Sequence, residues 1–198
     1  ISKWYKFKQV VLKSSNEQIK DESEASELLE TQLNETIQMQ SLADVPLGAF
    51  LSGGVDSSAI VALMQNQRSS PIKTFTIGFE EAEFDESKYA KAVASHLKTD
   101  HHEMRVTSND ALSLIPQLPK IYDEPFADSS QIPTYFVSQA AKQEVTVSLS
   151  GDAGDELFGG YNRYLMSPAL WKTINWMPFF ARKFLGRSLR NIPIDFWD

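Results

Sequence analysis

The segment of this 198-residue chain with the clearest capacity for chemistry is Phe50-Leu51-Ser52-Gly53-Gly54-Val55-Asp56-Ser57-Ser58. The apolar run Leu47 to Leu51 predicts a strand, and Ser57 to Gln67, with Ile60, Val61 and Met64 at its core, predicts a helix. A glycine pair between a strand end and a helix start collects anions. Free backbone N–H groups and the helix dipole favour negative charge there, and glycine lets the backbone come close. Phosphate suits such a turn, and Ser52, Ser57 and Ser58 add hydroxyl donors. Asp56 would repel phosphate unless a cation lies between them, so Mg²⁺ is expected. The segment is not a Walker A loop, because it has neither the G-x-x-x-x-G-K-S/T spacing nor a lysine. A Gly-Gly turn with a helix N-cap is the plain alternative. Six specified residues between strand and helix favour the nucleotide.

The surrounding pattern supplies elements to position this loop. Leu28, Leu29, Leu33 and Ile37 recur at helical spacing from Ser23, with acidic residues crowding the helix start as the macrodipole prefers. Ile72 to Phe79 alternates β-branched and aromatic residues and predicts a strand. Asp85 is a candidate N-cap for a helix carrying Tyr89, Val93 and Leu97. His101 to Val106 predicts a strand, and Asn109 to Ile115 a helix stopped by Pro116 and Pro119. Pro133 to Gln143 predicts another helix, and Val145 to Leu149 a strand. Strands alternating with helices predict an α/β fold, a parallel sheet flanked by helices on both faces. Residues 1–20 read as a strand or connector from an upstream domain, 21–167 as the main domain, and 168–198 as an aromatic, basic helical tail. That tail reads either as a basic membrane-touching helix or as a helix packed on the rest of its domain. Packing is favoured, because buried apolar stripes are the default.

Composition narrows the choices. Nineteen Lys and Arg against 26 Asp and Glu give a net charge of −7, a poor balance for holding nucleic-acid backbones. With no cysteine there is no disulfide framework, zinc ribbon, iron–sulfur cluster or thiol nucleophile in these residues. A cytoplasmic setting is the expectation. No apolar run reaches the roughly 18 residues that span a bilayer. Only three histidines are present, so any metal should be a hard, oxygen-ligated one. His101-His102-Glu103 suggests a cluster on paper, but neighbouring strand residues point to opposite faces, which favours a structural role.

SGGVDSS resembles the pyrophosphate-binding loop of the ATP pyrophosphatases. Further blocks narrow the likeness: TFTIGFE (Thr74 to Glu80), FDESKYAKAVASHL (Phe84 to Leu97), DEPFADSSQIPTY (Asp123 to Tyr135) and LSGDAGDELFGGYNRY (Leu149 to Tyr164). Together they resemble the synthetase domain of glutamine-hydrolysing asparagine synthetases, across about Leu47 to Tyr164. The resemblance implies an adenine-nucleotide α-hydrolase-like sheet. It also implies a reaction in which a carboxylate, most simply that of aspartate, attacks the α-phosphorus of ATP. Ammonia from a glutaminase domain absent from this chain then displaces AMP to give an amide. Adenylation supplies the leaving group, while the protein positions the reactants and neutralises charge.

The resemblance implies roles residue by residue. Ser52, Gly53, Gly54, Asp56, Ser57 and Ser58 match the pyrophosphate loop, with Asp56 a Mg²⁺ ligand. Leu51 and Ile77 match positions that contact adenosine, although strand residues of these types are usually core. Ser150 and Gly151 match a second nucleotide-contacting turn, Asp152 a catalytic acidic position near the reacting centre, and Asp155 a second Mg²⁺ ligand. Asp123, Glu124 and Asp128 are candidates for the acceptor side or, equally, a turn and helix stop. The likeness allows a homodimer in a full-length form.

Two departures stand out. Ala153 replaces the Gly or Ser usual at its position and would cost on the order of 1 kcal/mol if φ must be positive. The family's later block with a catalytic lysine has no match, so the chain by itself is expected to be inactive. A same-family amidotransferase acting on another carboxylate, such as a sugar acid, is the first alternative. A non-catalytic nucleotide-binding module is the second.

Overall fold

The computed structural model describes residues 5–80, 85–124 and 128–191. Its elements run α1 (Phe7–Asn16), α2 (Glu22–Gln40), β1 (Leu47–Phe50), α3 (Val55–Asn66), β2 (Lys73–Phe79), α4 (Ser87–Leu97) and β3 (Asp100–Val106). Then follow α5 (Ser108–Leu114), α6 (Leu118–Ile121), α7 (Gln131–Lys142), β4 (Val147–Leu149), α8 (Gly154–Phe158), α9 (Asn162–Ile174) and α10 (Phe179–Arg190). By backbone proximity they form two compact units, Ile1–Gly151 and Asp152–Asp198.

The first unit is built on a four-stranded sheet in the order β3-β2-β1-β4. Every pairing is parallel, with Ala49 opposite Thr74 on one side and Leu149 on the other. Side-chain alternation divides the strands between two cores. Leu47, Ala49 and Leu51 join Ile37 of α2, Val61 and Met64 of α3, and Ala90 and Ala94 of α4. Phe75 packs with Ala141 and Val145, while Ile77 and Phe79 pack against Val106, Leu114 and Phe136. The expected α/β sheet with helices on both faces is what forms. Its strand C-termini lie along one edge, where open sheets of this kind take their ligands.

Several local expectations change. Phe7 to Asn16 is helical rather than a strand, and none of its residues is buried. Helix α5 ends at Leu114, just before Pro116, as expected, although the winding continues beyond it in further short elements. Pro116 sits in a 3-10 turn (Ile115–Gln117) and Pro119 in the first turn of α6, where a missing N–H costs nothing. Asp85 is not itself the N-cap of α4, a place taken by Glu86, but its Oδ1 accepts from Ser87 N at 3.1 Å. Leu28 and Leu29 are exposed, so the stripe of α2 meets the core only at Ile37.

The second unit is helical. The change of composition at Pro168 falls inside α9. Arg182 lies 4.7 Å over the Trp171 ring, and Trp176, Phe179, Phe180 and Phe184 are exposed. Among the described residues no helix is long and apolar enough to cross a membrane.

Candidate functional site

At the end of β1 the sheet pattern runs one residue further, with Leu51 N donating to Phe75 O at 2.9 Å. Leu51 is 1 % exposed and belongs to the core, so its main chain is the part that can meet a ligand. The turn that follows takes its left-handed step at Gly53 (φ +85°). A Cβ there would stand 2.6 Å from Tyr89 C and from Ala90 N, so glycine is required by conformation and by the backbone of α4. Gly54 is the N-cap of α3, and no side chain caps that helix. Its leading N–H groups are therefore left to a ligand or to water.

The serines arrange the turn. Ser52 Oγ and Ser57 Oγ are 2.9 Å apart, and Gly54 N donates to Ser52 Oγ at 3.3 Å. Ser57 Oγ in turn accepts from Ser52 N and donates to Gly54 O, both at 3.3 Å. Ser58 Oγ is buried with no hydrogen-bond partner among the described residues. A buried hydroxyl without a partner costs about 1–3 kcal/mol, which an oxygen-rich ligand would offset. Asp56 is half-buried in the first turn of α3, while Val55 beside it is 86 % exposed.

The turn after β4 approaches this loop through Gly151. A Cβ on Gly151 would lie 2.6 Å from Ser57 N and 2.9 Å from Asp56 C. Ser150 is half-buried beside it. The first unit thus gathers Ser52, Gly53, Gly54, Asp56, Ser57, Ser58 and Gly151 in one place. Ile77 is half-buried on the opposite sheet face, against Val106 and Phe136. Asp152 and Asp155 belong to the second unit. There Ala153 has φ +71°, the strained conformation its position was expected to test, and Asp155 is in the first turn of α8. The Asp155 carboxylate packs against Gly160, where an added Cβ would displace it.

The remaining candidates separate. Asp128 Oδ1 accepts from Ser130 N at 2.9 Å just before α7, and hydrogen bonds from Ser130 hold its carboxyl below the usual range. Asp128 thus has the geometry of a helix-start residue. Asp123 and Glu124 line a cavity of about 380 Å³ with Ile115, Leu118, Tyr122 and Gln131. The histidines point apart, as alternation requires: His101 Nδ1 meets Thr74 Oγ1 at 2.9 Å, and His102 stacks on Phe75 at 5.3 Å. Among the described residues no group of three or more His, Asp or Glu could hold a metal by itself. Sequence reasoning missed the backbone of α4 as a wall of the loop. The only signal for it was Gly53 itself.

A parallel sheet with an uncapped, glycine-bearing turn at its central strand defines an α/β protein that takes its ligand at the strand ends. The family model described as Asparagine synthase matches residues 28–194, and the chain belongs to that family. It is 48% identical over 134 residues to a protein assigned as glutamine-hydrolyzing asparagine synthetase 2 in Methanocaldococcus jannaschii, covering 67% of this chain and 26% of that protein. It is 39% identical over 151 residues to asparagine synthetase 1 (glutamine-hydrolyzing) of Bacillus subtilis, covering 76% and 24%. The chain thus spans about a quarter of the length of either relative. An NH3-dependent NAD synthetase from Campylobacter jejuni matches in structure with a TM-score of 0.47 at 12% identity, over 69% of this chain and 60% of that one.

Proposed function

We propose that this chain is the nucleotide-binding part of an ATP-dependent amide-forming synthetase that converts aspartate to asparagine. Family membership and the names of its relatives, glutamine-hydrolyzing asparagine synthetases, support the overall reaction. The observation that carries the reading is the turn after β1. A left-handed Gly53, an uncapped α3 and a buried, unpartnered Ser58 hydroxyl meet where a polyphosphate would lie.

In this reading the N–H groups of Val55, Asp56 and Ser57 and the hydroxyls of Ser52, Ser57 and Ser58 hold the pyrophosphate portion of ATP. The backbones of Leu51 and Ile77 border the adenosine, and Ser150 and Gly151 close the second side. The donor set around the loop is oxygen throughout, which fits Mg²⁺. Asp56 and Asp155 would hold that ion, which when bound neutralises phosphate charge during adenylation. The substrate carboxylate attacks the α-phosphorus, forming a C–O–P bond and releasing pyrophosphate. The family resemblance gives Asp152 the role of the acidic residue at the reacting centre. Ammonia from a glutaminase domain then attacks the acyl carbon, AMP leaves, and the nitrogen gives up a proton to yield the amide.

The test is a mass-spectrometric assay of the full-length protein with ATP, Mg²⁺, ammonia and a panel of carboxylates. AMP together with asparagine, appearing with aspartate alone, is expected. AMP and a different amide would replace the substrate, and ATP left intact with every carboxylate would overturn the reading.

A further inference from the structure

The loop after β1 leans on a helix whose own start is held by a cluster of charged residues that the proposed reaction does not use. Asp85 is the centre of that cluster, with a side chain 6 % exposed. Its Oδ1 accepts from Ser87 N at 3.1 Å, and its Oδ2 lies 3.8 Å from Arg105 Nη1 of β3. Arg105 Nε is also 2.9 Å from Glu103 Oε1. Gly78, near the end of β2, makes room for the group. A Cβ there would stand 3.1 Å from Glu103 Oε1, and 3.2 Å from both Asp85 Oδ1 and Ser87 Oγ. Hydrogen bonds from Ser87, aided by the charges of Arg105 and Lys88, hold the Asp85 carboxyl below its ordinary range.

What this cluster controls follows from the hydrogen bonds downstream. The bond between Asp85 and Ser87 spans Glu86 and so orients the Glu86 carbonyl. That oxygen accepts from Tyr89 N at 3.0 Å and from Ala90 N at 3.2 Å, forming the first turn of α4. Tyr89 C and Ala90 N are the atoms that fill the space beside Gly53. Glu86 has no capping side chain of its own, so the start of α4 depends on Asp85.

We infer that Asp85, braced by Arg105, is a positioning residue for the Ser52–Ser58 loop. It fixes the first turn of α4, and that turn's backbone fixes the left-handed step at Gly53. The effect on ATP rests on the loop being the phosphate site; the link from Asp85 to Gly53 does not.

The test uses the full chain and two variants. Asp85→Ala removes the acceptor for Ser87 N together with the charge. Arg105→Gln leaves the bond to Ser87 in place and removes the brace together with the ion pair to Glu103. The amide resonance of Gly53 is followed by NMR without ligand, with Gly186, which has nothing near it, as the reference. Affinity for ATP with Mg²⁺ is measured by calorimetry. Asp85→Ala should move the Gly53 resonance, leave Gly186 in place and weaken ATP binding about fivefold, the size of a lost helix cap. Arg105→Gln should move Gly53 in the same direction by less. Folded variants with a lower melting temperature, but with Gly53 and ATP affinity unchanged, would overturn the inference and leave the cluster merely structural. If the unaltered chain binds no ATP, the nucleotide reading falls, and the Gly53 resonance still decides the positioning link.

Discussion

After β1 the chain makes its left-handed step on Gly53, at φ +85°; after β4 it makes the equivalent step on Ala153, at φ +71°. Both steps lead from a strand of the sheet into a helix, yet they differ in what surrounds them. The space beside Gly53 is filled by the main chain of α4, and α3 beyond it runs for 12 residues and buries Ser57, Val61 and Met64. Ala153 is exposed, and α8 beyond it has five residues, none buried. A helix that short has little stability of its own. Close packing therefore dictates the residue at the first turn, whereas at the second an exposed alanine is tolerated at a cost of about 1 kcal/mol.

The largest expected effect breaks the comparison at its tighter side. Gly53→Val combines a forbidden conformation with a collision against the α4 backbone, and should cost on the order of 3 kcal/mol and abolish ATP binding. Urea melts and calorimetry would read both losses. Gly54→Val is its control, because a Cβ at Gly54 meets only Ser52 Oγ, at 3.4 Å. That variant should stay folded while its side chain obstructs the phosphates. Native ATP affinity in folded Gly54→Val would contradict the site.

Next in size is the test of whether the two turns share an ion. Asp56→Asn and Asp155→Asn should each weaken ATP binding about tenfold with Mg²⁺, because each removes one of the one or two carboxylates such an ion shares with phosphate. In EDTA the same variants should bind as well as the unaltered chain or better, since a charge that repels phosphate is gone. Equal losses with and without metal would make the carboxylates structural.

Titration separates the two regions more gently. Burial pushes the His101 imidazole below its usual value, so the neutral ring is the form the folded sheet prefers. That stability is complete above the unfolded value near 6.5 and is lost as pH falls through the lower folded value. The first unit should therefore loosen on mild acidification, and His101→Gln should flatten that slope in pH-dependent melts. In the second unit Tyr161 donates its hydroxyl to Glu156 at 2.5 Å, and its pKa is pushed up to about 12 by that bond. The Tyr161 contribution persists below the ordinary tyrosine value and is lost only as pH rises through about 12.

The smallest effect sharpens the looser turn. Ala153→Gly relieves the positive φ but frees the unfolded chain, leaving a net gain of about 0.5 kcal/mol. A thermal melt would show it as a small rise. A loss of stability would mean that the Ala153 methyl has packing worth more than its strain.

Much of this was legible because the signals are local. Runs such as Thr74 to Phe79 carry strand chemistry within a few residues, and a glycine pair between strand and helix marks an anion turn wherever it occurs. The four strands and the loop were therefore found in their places. Helix α1 was not found. Its residues bury nothing, so no core-facing stripe announced it. The prolines after α5 were read as stops, and α5 does end before them, but the short elements that follow were missed because a proline is equally at home in the first turn of a new helix.

What the sequence determined on its own was the type and order of the four strands and of the helices between them, and the chemistry gathered at Ser52 to Ser58, since both depend on neighbours a few residues away. Tertiary structure alone decided which glycine is indispensable and why. Gly53 meets α4, Gly151 meets α3, and Gly78 lies under Asp85, Ser87 and Glu103. It also showed Asp85 to be tied to Arg105 as well as to the start of its own helix. Those contacts join residues far apart along the chain. They exist only once the sheet has brought its strands side by side, and no periodicity in the sequence encodes the distance between them.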